Sequence, residues 1–251
     1  MARTFLVRGL AVGLAAGLAA FVFAWVFAEP SITAAIGFES AHSAPNAHDP
    51  ELFSRTVQST VGLAVAVLVY STALGGIFGV VFAFAYGRLG PLDAYATALV
   101  VAVLGFVTAQ LVPFLKYPAN PPSIGNSDTI GRRTTLYFAM IAISVLAGIL
   151  AVLLARTWSP RTGTPTAVLA AVGVFVVVVS LCAWGLPGVD EVPADFPATL
   201  LWQFRLASLG TQAVTWTTLG VGFGAWTHWR LRAGAASSAA RVRQTEGAAP
   251  Q

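Results

Sequence analysis

Charged side chains are scarce. Asp, Glu, Lys and Arg make up 10% of the 251 residues, against roughly 25% in an ordinary soluble domain. So few charges leave a water-soluble chain of this length unable to cover its surface. Lysine occurs once, as Lys116, and cysteine once, as Cys182. A lone cysteine excludes an intrachain disulfide and says nothing of redox compartment. There is no Gly-x4-Gly-Lys-Ser/Thr loop, no His-Glu-x-x-His, no paired-cysteine motif and no Gly-x-Ser-x-Gly elbow. These absences remove the common nucleotide, zinc-hydrolase and serine-hydrolase chemistries, and no catalytic constellation remains to suggest an enzyme. Basic residues are scattered rather than interleaved with aromatics on one face, which argues against nucleic-acid binding.

What is present is apolar. Residues 9–28, 56–87, 94–115, 134–155, 162–189 and 206–229 each lack Asp, Glu, Lys and Arg. A bilayer core about 30 Å thick needs roughly 20 helical residues to cross it, and every stretch meets that length. A β-barrel would alternate apolar and polar residues. These runs are continuous, so helices that satisfy their own backbone are expected. The fold class is therefore all-α, a polytopic membrane bundle of about six transmembrane helices over residues 1–232. A tail over 233–251, without periodicity, is expected to be disordered and cytoplasmic. Arg3 and Arg8 precede the first run as in a signal peptide. At about 20 residues, however, that run exceeds the 7 to 15 of a signal core and reads as a retained anchor.

Basic residues stay on the cytoplasmic side. With both termini inside, nine basic and two acidic residues face the cytoplasm, a net of +7, while five and eight face out, a net of −3. The expected location is the inner, cytoplasmic membrane. Acids contribute little to orientation, so their outward bias has another reading: a negative face that concentrates cations. Solvation of the loops is the plainer one.

Small residues recur four apart at Gly9, Gly13 and Gly17, at Gly75 and Gly79, and at Gly220 and Gly224. They let helices approach closely in lipid, either within one bundle or across a homo-oligomer. Arg205, Ser208, Gln212 and Thr215 form one stripe of the sixth span. Arg55, Gln58 and Ser59 form a shorter one in the second, and Thr108 and Gln110 add polar groups to the third. Polar groups at such depth face the bundle interior or a water-filled cavity. They either bond helices together or line a vestibule opening outward.

In the external segments, His42, His48, Asp49 and Glu51 offer nitrogen and oxygen donors to a divalent transition metal, at irregular spacing. Asp190, Glu191 and Asp195 would attract cations or simply solvate their loop. Asp128 and Arg132, one turn apart, could pair. Arg205, awkward beside a cation route, is expected to pair with an acid such as Glu191 or Glu29. The candidate path residues are Glu29, Gln58, Gln110, Asp128, Arg132, Arg205, Ser208 and Gln212. His228 reads as an interfacial anchor.

Several runs carry more than hydrophobicity. They are Glu29-Pro-Ser-Ile, Arg55-Thr-Val-Gln-Ser-Thr-Val-Gly62, Pro113-Phe-Leu-Lys-Tyr-Pro-Ala-Asn-Pro-Pro122, Asp128-Thr-Ile-Gly-Arg-Arg-Thr134, Asp190-Glu-Val-Pro-Ala-Asp-Phe-Pro197 and Phe204-Arg-Leu-Ala-Ser-Leu-Gly210. In these the chain resembles the CbtA family of predicted bacterial cobalt transporter subunits, from near Arg3 to about His228. The resemblance implies uptake of Co²⁺ as transported ion, linked to cobalamin synthesis, with no tightly bound cofactor. It also implies a small single-span, histidine-containing partner of the CbtB type. A non-transporting accessory subunit of a metal permease is the competing reading.

Overall fold

A computed structural model describes residues 2–42, 54–122, 124–125 and 127–247. Among them there are helices and connectors but no strand. Among the described residues six continuous helices follow one another: α1 (residues 2–42), α2 (Arg55–Ala85), α3 (Ala94–Lys116), α4 (Ile130–Thr162), α5 (Thr164–Gly185) and α6 (residues 198–247). The first five are long and apolar enough to cross a membrane. The protein is an all-α, multi-pass membrane protein.

The sixth helix holds the last uncharged stretch, diluted by Thr211, Gln212, Thr215, Thr217 and Thr218. Its middle is nonetheless well enclosed. Between Ala207 and Gly224 only Thr217 and Val221 are exposed. A helix walled by other helices need not be apolar all round. By contrast, α5 buries only Ala167 and Ala171, and leaves Leu169 74% and Trp184 88% exposed. The backbone of α6 is helical to Gly247.

Close packing begins with α1 on α2. A Cβ built at Gly9 would overlap Gly75 O, one at Gly75 would overlap Gly9 O, and one at Gly79 would overlap Phe5 O. The glycine spacing thus serves contact within one chain, as small residues do where no hydrophobic drive joins helices. Gly220 and Gly224 do the same for α6, resting on Ala102 and Tyr95 of α3. Phe5, Phe78, Phe82 and Phe223 fill the end of the bundle near the N-terminus, with Phe82 and Phe223 edge-on at 4.9 Å.

Four helices contain a π turn: Ala24–Ala28 in α1, Gln58–Gly62 in α2, Val107–Leu111 in α3 and Leu219–Phe223 in α6. Two precede a proline, Pro30 and Pro113, whose missing N–H removes a helical donor. In α3, Val112 N–H goes to Val107 O, and Pro113 has none to offer Thr108 O. Ser144 Oγ of α4 supplies the missing bond. Beside it, a Cβ at Gly148 would lie 2.8 Å from Thr108 Cγ2. This contact seats the α4–α5 hairpin on α3.

Candidate functional site

At the end opposite the N-terminus the connectors fold over the bundle. Ala35 of α1, Ile124 and Phe196 form a buried cluster, with Phe38 edge-on to Phe196 at 5.1 Å. The prolines of residues 118–122 keep this connector extended, and Pro121 is buried. Lys116 Nζ donates to Leu186 O and Tyr117 OH to Pro187 O, both at 2.9 Å. Burial pushes the Tyr117 phenol above its usual range, opposed by the charge of Arg132.

Beneath this cover is a cavity of about 670 Å³. Its walls include Tyr117, Asn120, Arg133, Tyr137, Asp190 and Arg205. Its arginines are engaged. Arg133 Nε lies 3.4 Å from Glu191 Oε2. Gly125 passes against that pair at φ +123°, where a Cβ would fall 2.9 Å from the same carboxylate oxygen. At a neighbouring point of the same end, Arg55 pairs with Glu29 and Thr33 Oγ1 donates to Glu29 at 3.3 Å.

Tyr137 connects the cavity to a second polar group deeper in the span. Tyr70 of α2 lies near enough to act on Tyr137 electrostatically. Gln110 Nε2 donates to Tyr70 OH at 2.8 Å, and Gln212 faces the same hydroxyl. Gln212 Oε1 is buried and accepts from nothing. Turning the amide over would exchange oxygen for nitrogen, but one terminal atom would still be orphaned. Arg205 and Gln212 are seven residues apart on α6, roughly 10 Å at 1.5 Å per residue. The cluster therefore lies about two helical turns below the cavity. Four helices contribute to it: α2, α3, α4 and α6.

Residues 2–228 of the 251 match the family model described as probable cobalt transporter subunit (CbtA). The chain belongs to the CbtA family. No curated protein and no solved structure matches it. Membership supports a role in cobalt transport.

Within this CbtA chain the sequence candidates divide. Gln110, Arg205 and Gln212 fall on or beside the cavity and cluster, Ser208 is half-buried on the same helix, and Asp190 is exposed at the cavity rim. Glu191 is engaged by Arg133 and Glu29 by Arg55. Gln58 is exposed in its π turn, Asp128 sits in the 3-10 turn Ser127–Thr129, and Arg132 and Asp195 are exposed. His42 ends α1, with its side chain outside the description. His48, Asp49 and Glu51 lie outside the described residues. Among the described residues, no three His, Cys, Asp or Glu side chains come together as a metal site.

One pairing is corrected. Arg205 does not bond Glu191 or Glu29. Its Nε donates to Ala119 O at 3.2 Å and its Nη2 to Asn120 Oδ1 at 3.0 Å. The extended connector brings its own backbone carbonyl to the guanidinium, so no acid is required. Tyr70 and Tyr137 were not among the sequence candidates, because each reads as an interruption of an apolar run. A phenol level with a glutamine on a neighbouring span was the available signal.

Proposed function

We propose that this chain is the membrane-spanning subunit of a Co²⁺ uptake system serving cobalamin synthesis. It would sit in the cytoplasmic membrane with both termini inside and the connector over 117–129 outside. One observation carries this reading: neutral oxygen groups descend from the covered cavity through Tyr137, Tyr70 and Gln110 to the buried, unpartnered Gln212 Oε1. Such groups in an apolar span mark a route for a polar species. Because Arg133, Arg55 and Arg205 are each engaged by acid, carbonyl or amide groups, their charges oppose a passing cation less than free guanidinium groups would.

A second reading has its own support. The described residues contain no three-ligand metal group, which favours capture of the ion by a partner, a small single-span chain supplying histidine. In the stricter form of this view, the present chain stabilises a permease and carries no ion itself. Co²⁺ entry into liposomes, read by quenching of an enclosed dye, separates the two. Flux with this chain alone, lost in Gln212→Leu, supports a path here. Flux through the partner alone, with this chain adding only stability, overturns it.

A further inference from the structure

At the end near the N-terminus, two donor atoms stand together on different helices. His228 Nδ1 of α6 lies 3.4 Å from Asp93 Oδ2. The placement follows from packing. Gly224 lacks a Cβ, so α6 rests against Tyr95 and Ala98 of α3. One turn further on the same face is His228, and two residues before Tyr95 is Asp93, the cap of α3. Ala96 N–H donates to Asp93 Oδ1 at 2.8 Å. That bond fixes the carboxylate and turns Oδ2 toward the imidazole.

A separation of 3.4 Å is long for a charge-assisted hydrogen bond, which runs about 2.7–2.9 Å. It suits two ligands of one ion. First-row metal bonds of about 2.1 Å to imidazole nitrogen and carboxylate oxygen, meeting at a tetrahedral angle, put the donor atoms about 3.4 Å apart. A backbone N–H on the far carboxylate oxygen is the kind of outer support that orients a ligating group. The Asp93 side chain is 55% exposed and that of His228 24%, so water has access to complete the shell.

We propose that Asp93 and His228 form a two-ligand site for a divalent first-row cation at this end of the bundle. Arg230, two residues further along α6, is basic and acts electrostatically on Arg8 of α1. Two protein ligands hold a dication weakly. Imidazole and carboxylate also accept Ni²⁺ and Zn²⁺. The choice of Co²⁺ as probe rests on the function proposed above; the site itself rests on geometry.

The test uses the full chain in nanodiscs, without a polyhistidine tag. The sequence has three histidines, so a His42→Gln/His48→Gln background leaves His228 as the sole imidazole. Titration with CoCl₂ should then produce a paramagnetically shifted ring N–H resonance that saturates. Asp93→Asn keeps the helix cap, since Asn caps as well as Asp. It should weaken Co²⁺ binding tenfold or more, a loss as large as that from disturbing a ligand's outer support, with an unchanged melting temperature. His228→Gln should abolish the resonance. No shifted resonance in that background, or an Asp93→Asn variant of undiminished affinity, overturns the site. A shifted resonance without Co²⁺ flux in liposomes sinks the transport reading and leaves the site standing. Flux without the resonance does the reverse.

Discussion

Ser144 of α4 donates to Thr108 O of α3, a carbonyl that the neighbouring π turn and Pro113 leave without a helical donor. The bond joins the peripheral hairpin to the packed helices. Ser144→Ala should therefore destabilise the protein by about 1 kcal/mol, between the 0.6 kcal/mol average of interhelical bonds in lipid and the cost of an orphaned buried carbonyl. Pro113→Ala restores an N–H, so the same serine change should cost less in that background. A double-mutant cycle on unfolding in detergent measures the difference. Additive costs would refute the account.

The α1–α2 contact makes a sharper contrast. Gly75→Ala drives a methyl into Gly9 O and the Gly13 backbone, which cannot move aside as a side chain could. A loss of about 1–3 kcal/mol is expected. Gly173→Ala meets nothing within 4 Å and should stabilise α5 by up to about 1 kcal/mol through helix propensity. Opposite shifts in melting temperature check both.

Gln212→Leu removes a buried, unpartnered acceptor together with the amide contact to Tyr70 OH, so stability should change little. Co²⁺ entry should fall at least tenfold. Gln110→Leu takes the donor from Tyr70 and should lower both stability and entry. Measurement of flux per folded molecule separates the two effects; unchanged flux in Gln212→Leu would remove this residue from the path.

Tyr117 supplies a pH test. Its folded pKa is raised by burial above an unfolded value of about 10. The folded state therefore holds the proton more tightly. This contribution is complete below pH about 10 and is lost as pH climbs through the folded value. Tyr117→Phe gives up the bond to Pro187 O, about 0.5–1 kcal/mol, and should show a flatter decline in melting temperature above pH 10.

The glycines of α1 and α2 could be read from spacing alone, because contact in lipid depends on residue size at a fixed period. Apolar length likewise announced the helices. Partner choice could not be read that way. The charge on Arg205 suggested an acid, whereas the carbonyl that binds it depends on how residues 117–122 run, a property of the connector's path. Pro30 and Pro113 are visible in the sequence, but the π turns before them are a tertiary outcome. Asp93 and His228, 135 positions apart in the numbering, meet only because Gly224 lets α6 lie against Tyr95.

The seclusion of α6 also bears on how the protein is made. A segment so rich in threonine and glycine gains little by leaving the translocon for lipid on its own. It would partition only when the helices already released present it with a surface, so its entry is an assembly step. Ribosomes stalled just beyond residue 229 should show α6 still crosslinked to the translocon when α1–α3 are absent, and released when they are present.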